Sequence, residues 1–494
     1  MVEVVILAGG YGTRLWPLSL TKPKPMITLA NKPILDHIME YLEKHAFKDI
    51  VITTNYFRDT IEEYFGDGRR FGVKIRFPLE KYPLGTAGSV KNVEGLMDGT
   101  FIVIQGDNVT DIDLRNVYRK HKKRGGLCSI VLKEVDEPWR FGVVELEGER
   151  IKNFAEKPEK GSEPSNLINS GIYVMEQEIF ERIPEEEPYD FAEDLFPKLI
   201  ENDEEIYGYC ADGFWADVGA PDGYFAANEW ILSRLNDFEF SDTTFIGDDV
   251  EIQPPVIIGE DGMIEDGVKI GPYSVIGDNS VVHEGSQIIG ASIFEGSALG
   301  RNSFISSSII GENVVIKKNA KITDSLVGDS CQFGHDCEVT SNSKVWPNTF
   351  LSPFSRVNGV LRRFVQAKEN YAAEVLEMGP SYILRTVSDE EAFYFNKSEN
   401  NEVIFTGRVA KSLDEFSEIL KTIEFTSLEH HICRGINDFE AWVKLVLKDP
   451  LLMSYYRTIG ESDLFEEELR RELVKETDLR CKRLHEHRVK YTVV

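Results

Sequence analysis

Apolar runs alternate with amphipathic stretches over the first half of the chain. Residues 2–7 (VEVVIL) are mostly apolar, and residues 49–54 (DIVITT) and 101–107 (FIVIQGD) carry similar runs. Between the first two runs, five apolar residues recur at helical spacing: Ile34, Leu35, Ile38, Met39 and Leu42. Strands covered on both faces are apolar throughout, and their alternation with helices favours a mostly parallel, doubly wound sheet. We therefore predict an α/β domain over residues 1–235.

A six-residue period replaces this alternation near residue 240. Every sixth residue from Ile246 to Ile288 is a β-branched aliphatic, and after a change of phase the period continues from Ile310 to Val345. Glycine often follows the aliphatic residue, as in Ile258-Gly259. A hexapeptide period indicates a parallel β-helix in which three hexads form one triangular coil around the stacked aliphatics. We predict a left-handed β-helix over residues 241–358.

Helical spacing returns after the hexads stop near residue 360. Five apolar residues share one predicted helix face: Leu413, Phe416, Ile419, Leu420 and Ile423. Asp438 is placed to cap a second helix, which carries Phe439 and Trp442. We predict a small α-helical domain over residues 385–494.

Composition and charge exclude several classes of function. The chain is 42% apolar and has a net charge of −29, from 84 acidic and 55 basic residues. This charge argues against a nucleic-acid binder, because a phosphate backbone would be repelled. The six cysteines form no CxxC pair, and the sequence has neither a basic leader nor a run of about 18 apolar residues. We expect a cytoplasmic protein with free thiols, no membrane span and no signal peptide.

A glycine-rich segment, LAGGYGTRLWPL, follows the first predicted strand. Such a turn, placed between a strand and a helix, lets backbone amides and the helix dipole approach an anion. Arg14 adds a planar fork for phosphate oxygens, and Thr13 adds a hydroxyl donor. The spacing matches neither GxGxxG nor a Walker P-loop. Taken alone, the segment is also compatible with a tight turn that merely needs glycine.

The segment TKPKPM, with Lys24 between two prolines, follows this turn and changes the picture. Residues 9–24 together resemble the signature of the sugar-1-phosphate nucleotidyltransferases, the sugar-nucleotide pyrophosphorylases. The resemblance covers the first region and continues through the β-helix. It implies a Rossmann-like nucleotidyltransferase domain. It also implies a nucleotide-binding set at the turn, which comprises Leu7, Ala8, Gly9, Gly10, Gly12 and Thr13, with Arg14 and Lys24 as the adjoining phosphate-binding cations.

Further motifs of the same family appear in the family's order. PLGTAGSV (residues 83–90) resembles the nucleobase loop, with Gly85 and Thr86. The sugar-binding motifs are FGVVE with Gly142, EKP with Glu156 and the phosphate-binding Lys157, and NSGIY with Asn169. QGDN and WADVG resemble the two metal-binding motifs and supply Asp107 and Asp217.

The resemblance implies a chemical mechanism that needs no general base. A phosphate oxygen of a sugar 1-phosphate attacks the α-phosphorus of a nucleoside triphosphate, and pyrophosphate leaves. Asp107 and Asp217 are expected to hold Mg²⁺, which prefers hard oxygen ligands. Arg14, Lys24 and Lys157 are the expected catalytic residues, because they neutralise phosphate charge.

The motifs do not determine the nucleobase of the triphosphate, the sugar of the sugar 1-phosphate, or whether the chain has a second activity or none. PLGTAGSV and FWADVGAPDGYFAAN look most similar to mannose-1-phosphate guanylyltransferases, so GTP and mannose 1-phosphate are the expected substrates. The alternatives are a glucose-1-phosphate thymidylyl- or uridylyltransferase, a bifunctional enzyme with acetyl transfer on the β-helix, and a non-catalytic regulatory subunit. The last region resembles a small domain of unknown function. A homo-oligomer is expected.

Overall fold

The described residues form two compact units. The structure is a computed structural model that describes residues 2–491 except 11, 55–56, 81–82, 186, 236, 362–382, 390, 400–401, 434–435, 461 and 463. One unit comprises Met1–Leu15 and Lys22–Trp230, and the second comprises Trp16–Thr21 and Ile231–Val494. The described residues include no helix that is long and apolar enough to cross a membrane.

The described residues up to Leu232 form strands and six α-helices. The helices are Ile34–Lys44 (α1), Arg58–Phe65 (α2), Gly85–Lys91 (α3), Leu114–Arg124 (α4), Phe196–Glu201 (α5) and Pro221–Leu232 (α6). The strands are Glu3–Leu7 (β1), Thr28–Leu29 (β2), Lys32–Pro33 (β3), Asp49–Thr53 (β4), Lys74–Arg76 (β5), Phe101–Gln105 (β6), Asn108–Thr110 (β7), Cys128–Glu134 (β8), Gly142–Glu147 (β9), Arg150–Glu156 (β10), Leu167–Met175 (β11), Ile206–Cys210 (β12) and Trp215–Asp217 (β13).

A nine-stranded sheet with the order β5-β4-β1-β6-β11-β8-β12-β10-β9 forms the centre of the first unit. The four strands from β5 to β6 are parallel, as the alternating pattern predicts. The other half is mixed, because β11 runs antiparallel to β6 and β8, and β9 and β10 form a hairpin. Only two residues separate β9 from β10, and so short a connection allows only antiparallel pairing. The parallel strands end at one edge, where open α/β sheets place their ligands.

The predicted parallel β-helix is confirmed, with three sheets that run along the coils. The first sheet contains Phe238–Phe240 (β14), Val256–Ile258 (β17), Ser274–Ile276 (β20), Ser292–Ile293 (β23), Ile309–Ile310 (β26), Ser325–Val327 (β29), Ser343–Val345 (β32) and Val360–Leu361 (β35). The second contains Phe245–Ile246 (β15), Met263–Ile264 (β18), Val281–Val282 (β21), Ala298–Leu299 (β24), Val315–Ile316 (β27), Gln332–Phe333 (β30) and Phe350–Leu351 (β33). The third contains Glu251–Ile252 (β16), Lys269–Ile270 (β19), Gln287–Ile289 (β22), Phe304–Ser306 (β25), Lys321–Thr323 (β28), Glu338–Val339 (β31) and Arg356–Val357 (β34).

The aliphatics of the six-residue period form the interior of the β-helix. Ile264, Val282, Ile288, Ile310 and Ile322 are fully buried in one apolar core. Two residues of the first coil, Ile246 and Ile252, are only partly buried against it. The strands of each coil form hydrogen bonds with the strands of the next coil. The parallel strand pairs and the stacked aliphatics therefore stabilise each other.

The last region contains the predicted helices together with a hairpin that the helical pattern did not predict. Its strands are Phe393–Glu399 (β36), Glu402–Ala410 (β37), Ile432–Cys433 (β38) and Ile436–Asn437 (β39). Its α-helices are Leu413–Leu420 (α7), Phe425–His431 (α8), Asp438–Trp442 (α9), Pro450–Gly460 (α10) and Glu466–Tyr491 (α11). β37 pairs with β34, so the hairpin of β36 and β37 extends the third sheet of the β-helix. The predicted face is confirmed within α7, where Leu413, Phe416 and Leu420 are fully buried and Ile419 is partly buried, whereas Ile423 is buried beyond the end of the helix.

Candidate active site

Two strand ends bring the expected metal-binding aspartates to one place. Asp107 follows β6, and Asp217 ends β13, which pairs antiparallel with β7 so that Asp217 lies opposite Asn108. The amide of Val218 donates to the carbonyl oxygen of Asp107 at 3.0 Å. Gly106 donates to the carbonyl of Leu7, which holds the end of β6 beside the end of β1. Residues that are more than 100 positions apart therefore meet at the carboxyl edge of the sheet.

Lys24 and Arg14 lie against these two carboxylates. Lys24 Nζ contacts Asp107 Oδ2 and lies 3.5 Å from Asp217 Oδ1, and Arg14 Nη2 lies 3.2 Å from Asp217 Oδ2. The Lys24 side chain is 9% exposed, whereas the Arg14 side chain is 46% exposed. Two acids and two bases thus form one cluster, with Arg14 on its open side.

The two carboxyls differ in their affinity for protons. Burial raises the pKa of Asp107 above its ordinary value, against the opposing effect of Lys24. Burial acts on Asp217 in the same direction, but Lys24 and then Arg14 lower the pKa of Asp217 below its ordinary value. Asp107 Oδ1 is buried without a hydrogen-bond partner among the described residues. An additional positive charge next to Asp107 would therefore stabilise its ionised form.

The glycine-rich segment differs from the expected turn between a strand and a helix. Three short 3-10 turns follow its glycines, at Thr13–Leu15, Leu18–Leu20 and Lys24–Met26, and the first α-helix begins only at Ile34. Prolines at 17, 23 and 25 interrupt regular helix formation over this stretch. The expected contribution of a helix dipole is therefore wrong, and backbone amides and side chains remain for contacting an anion. Gly10 is exposed, and no atom lies within 4 Å of the position that a Cβ would occupy there.

A cavity of about 210 Å³ adjoins the acid–base cluster. Seven of the predicted site residues line it: Arg14, Thr86, Gly142, Glu156, Lys157, Asn169 and Asp217. The other predicted residues lie outside this lining: Leu7, Ala8, Gly9, Gly10, Gly12, Thr13, Lys24, Gly85 and Asp107. Of these, Lys24 and Asp107 belong to the adjoining cluster through their contacts with Asp217.

The predicted sugar-binding residues are held by contacts with one another or with neighbouring residues. Glu156 pairs with Gly142 across β9 and β10, and Lys157 Nζ lies 2.8 Å from Glu156 Oε1. A Cβ on Gly142 would lie 2.7 Å from Glu156 Oε2, so glycine is required for the carboxylate to lie there. Asn169 donates to the Tyr173 hydroxyl at 3.0 Å and accepts from the Gly171 amide. These contacts fix carboxylate and amide groups, which are suited to hydroxyl recognition.

The predicted nucleobase loop forms the start of α3. Gly85 has a φ of +73°, and a Cβ there would lie 2.7 Å from the Tyr189 carbonyl oxygen. That oxygen accepts hydrogen bonds from the amides of Ala87 and Gly88. The Thr86 hydroxyl donates a hydrogen bond to Asp190 Oδ2 at 2.8 Å. The two glycines of the motif therefore serve close approach between chain segments.

Several cavity residues escaped the sequence analysis. Arg140 directly precedes the FGVVE motif and forms ion pairs with Glu137 and Asp222. Asp190 lies about one hundred positions from Thr86, and nothing in the local sequence points to it. Gly219 lies outside the cavity lining but belongs to the quoted WADVG motif, and a Cβ there would lie 2.6 Å from Asp217 Oδ1. The glycine itself was a signal in the sequence, because glycine permits a close approach of the backbone to a neighbouring group.

The histidines of the β-helix are half-exposed and lie outside the cavity lining. His283 Nδ1 lies 3.0 Å from Glu265, and His335 Nδ1 lies 2.6 Å from Asp336. Each histidine thus has an acidic neighbour within the coils.

Family models cover the three regions of the chain in order. A model described as "Nucleotidyl transferase" matches residues 3–234, and "GMPPB C-terminal domain" matches residues 240–358. "Family of unknown function (DUF5752)" matches residues 370–478. The chain is 34% identical over 337 residues to a UTP–glucose-1-phosphate uridylyltransferase from Synechocystis sp., a match that covers 63% of this chain and 87% of that protein. The chain belongs to the sugar-1-phosphate nucleotidyltransferases.

Other relatives of this nucleotidyltransferase are named for guanylyl transfer. A mannose-1-phosphate guanylyltransferase from Mycobacterium tuberculosis is 35% identical over 226 residues, which are 45% of this chain and 62% of that protein. Among solved structures, HddC from Yersinia pseudotuberculosis is 31% identical with a TM-score of 0.42, and the match covers 47% of this chain and all of that chain. The predicted domain of unknown function in the last region is confirmed by its family model.

Proposed function

We propose that this nucleotidyltransferase transfers the guanylyl group of GTP to mannose 1-phosphate and releases pyrophosphate. An oxygen of the sugar phosphate forms a bond to the α-phosphorus, and the bond from that phosphorus to the bridging oxygen breaks. The leaving pyrophosphate keeps the electron pair of the broken bond. The observation that carries the proposal is the contact of Lys24 with both Asp107 and Asp217 beside the cavity.

The donor set suits Mg²⁺. The described residues contain no group of three or more His, Cys, Asp or Glu side chains placed to hold a metal ion. Mg²⁺ is commonly held by one or two carboxylates, with the remaining positions taken by water and substrate phosphates. Asp107 and Asp217 provide two such carboxylates, and Asp107 Oδ1 is buried without a partner among the described residues. When bound, Mg²⁺ would neutralise charge on the triphosphate.

Positively charged side chains would bind the phosphate groups and neutralise their charge. A sugar phosphate is already largely a dianion at neutral pH, since the second pKa of a phosphate monoester is about 6. The attacking oxygen therefore needs no general base, and positioning together with charge neutralisation dominates catalysis. Arg14 and Lys24 would hold the triphosphate and the leaving pyrophosphate. Lys157 would hold the attacking phosphate, while Glu156 and Asn169 accept and donate hydrogen bonds to sugar hydroxyls.

The preference for guanine is supported by a carboxylate beside the nucleobase loop. Glu80 is 8% exposed, and its Oε1 accepts from the Leu84 amide at 3.4 Å. Burial raises the pKa of Glu80 above its ordinary value. Guanine presents two neighbouring donors, N1–H and N2–H, to a carboxylate, whereas uracil and thymine present one donor between two carbonyl oxygens. In its ionised form the Glu80 carboxyl accepts hydrogen bonds only, and the two guanine donors would stabilise that form, so it would favour guanine.

A substrate matrix tests the proposal. Pyrophosphate release is measured for four nucleoside triphosphates crossed with mannose, glucose and N-acetylglucosamine 1-phosphates in the presence of Mg²⁺. GTP with mannose 1-phosphate should give the highest kcat/KM. A matrix whose highest value falls on another base or sugar would overturn that specificity.

A matched variant separates base choice from catalysis. Glu80→Gln keeps the shape of the side chain but adds a donor, so the ratio of kcat/KM for GTP to that for UTP should fall by about tenfold or more. Glu80 is not one of the residues proposed to hold phosphate, so kcat with saturating GTP should change little. An unchanged ratio would remove Glu80 from base discrimination.

UTP with glucose 1-phosphate is the second candidate pair. It is favoured by the length of the match to the Synechocystis uridylyltransferase, which is 337 residues against 226 for the Mycobacterium guanylyltransferase. The same matrix decides between the two pairs.

A further inference from the structure

The segment between the catalytic residues Arg14 and Lys24 belongs to the second unit. Arg14 and Lys24 lie in the first unit, whereas Trp16–Thr21 clusters with the β-helix and the last region. Only Leu15 separates Arg14 from this segment, and only Lys22 and Pro23 separate it from Lys24. The chain that joins two charged groups of the proposed site is therefore fixed by residues far from that site in sequence.

Apolar contacts hold the start of the segment. Trp16 is 6% exposed and packs edge-to-face on Trp346, with ring centroids 6.3 Å apart. Both rings lie in the apolar core of the last region, together with Phe393, and Leu20 packs against the same core. Aromatic rings in such a geometry resist rotation because neighbouring side chains surround them.

A hydrogen bond holds the end of the segment. Thr21 Oγ1 donates to Asp329 Oδ2 at 2.5 Å. Asp329 Oδ1 accepts from the Glu312 amide at 2.8 Å, which ties one coil of the β-helix to the next. Asp266 has the same coil contact, accepting from the Asp248 amide at 2.9 Å, and lies in an earlier coil. Asp329 thus has the same coil contact as Asp266 and an additional contact with Thr21.

We propose that Thr21 and Asp329 are positioning residues for nucleotidyl transfer, which act on Arg14 and Lys24 through the segment Trp16–Thr21 that joins them. If the segment shifts, Arg14 moves with it through one intervening residue, Leu15, and Lys24 moves with it through two, Lys22 and Pro23. Pro23, with φ fixed by its ring, limits how far the connection can absorb that shift. The inference needs only nucleotidyl transfer, and it holds for any base or sugar.

A double-mutant cycle with a matched control tests the inference in the full-length protein. Thr21→Val removes the hydroxyl with little change of shape, and Asp329→Ala removes its acceptor. Asp266→Ala is the control, since it removes an equivalent coil contact without touching Thr21. Turnover is measured with the substrate pair of highest kcat/KM, and the melting temperature of each variant is measured alongside.

A positioning role predicts a specific pattern. Thr21→Val and Asp329→Ala should each lower kcat by about tenfold, because small misplacements of charged groups are costly in the transition state. The KM for sugar 1-phosphate should stay within about twofold, and the double variant should be no slower than Asp329→Ala. Asp266→Ala should keep the wild-type kcat while its melting temperature falls as much as that of Asp329→Ala.

Two results would overturn the inference. In the first, Thr21→Val turns over at the wild-type rate, so the hydrogen bond has no part in positioning. In the second, Asp266→Ala loses as much kcat as Asp329→Ala, so the loss reflects general damage to the β-helix.

Discussion

At the scale of single residues, the site depends on close approach between groups. Glycine at position 142 lets the Glu156 carboxylate lie over the backbone, and Gly219 does the same for Asp217. A Cβ added at either glycine would lie too close to the carboxylate oxygen, so the carboxylate would have to move and its hydrogen bonds would change. We therefore expect activity to be sensitive to the addition of a single carbon atom at these positions.

Gly142→Ala should weaken the binding of sugar 1-phosphate. The added Cβ would meet the Phe154 ring at 2.6 Å and Glu156 at 2.7 Å, so Glu156 must move. The KM for sugar 1-phosphate should rise about tenfold, with a smaller change in the KM for nucleotide. Gly95→Ala is the control, because no atom lies within 4 Å of its Cβ position. Equal KM values in the two variants would contradict the placement of Glu156 in the sugar site.

At the scale of elements, alternation of inside and outside residues governs stability. In β22, Ile288 is fully buried in the β-helix core, whereas its neighbour Ile289 is 42% exposed. The hexapeptide period correctly predicted Ile288 as an interior residue.

Ile288→Ala should destabilise the β-helix much more than Ile289→Ala. Removal of buried carbon atoms and the resulting cavity should lower the free energy of unfolding by about 2–5 kcal/mol. The exposed Ile289 should contribute about 0.5 kcal/mol or less. Thermal melts followed by circular dichroism compare the two variants. Similar losses would contradict the inside–outside assignment of β22.

The helix α4 carries a buried histidine that makes stability depend on pH. His121 is 1% exposed, with Nδ1 2.8 Å from the Ser129 hydroxyl and Nε2 3.2 Å from Glu176. Burial lowers the pKa of His121 below its ordinary value near 6.5. The unfolded chain therefore takes up the proton first as the pH falls, and the folded state loses stability through this range.

Stability should fall as the pH drops through and below the ordinary histidine pKa near 6.5, and His121→Gln should flatten that part of the profile. Melting temperatures at several pH values provide the measurement. A variant profile as steep as that of the wild type would show that other groups cause the slope.

Some elements were predictable because their cause is local. The hexapeptide period and the predicted face of α7 depend on residues a few positions apart, and both were confirmed. Asp438 was expected to cap a helix, but Asn437 caps α9 by accepting from the Glu440 amide. Asp438 is instead buried and accepts a hydrogen bond from His431 Nδ1. The extension of the β-helix by β37 was also missed, because pairing across about 45 positions leaves no periodic signal.

At the scale of the whole molecule, long-range contacts determine the site. The motifs correctly pointed to the family, yet the meeting of Lys24 with Asp107 and Asp217 spans 83 and 193 positions. The inclusion of Trp16–Thr21 in the second unit is equally invisible in the sequence. Local motifs therefore predicted the type of reaction, whereas the arrangement of the charged side chains could be seen only in the structure.

Homo-oligomer formation stays a prediction, and the net charge sets its expected salt dependence. Copies with a net charge of −29 repel each other, and salt screens that repulsion. Light scattering should give at least twice the chain mass of 56.1 kDa, with the larger species favoured by added salt. A mass of one chain at every salt concentration would contradict the prediction.

A titration with Mn²⁺, followed by electron paramagnetic resonance in the presence of GTP, gives the sharpest test of the proposed metal site. If Asp107 and Asp217 hold one ion together, the wild type binds Mn²⁺ in the ternary complex, and Asp107→Asn and Asp217→Asn each weaken that binding by about tenfold or more. The exposed Asp203→Asn serves as the control and should bind like the wild type. Wild-type affinity in either site variant would contradict a shared ion at these two carboxylates.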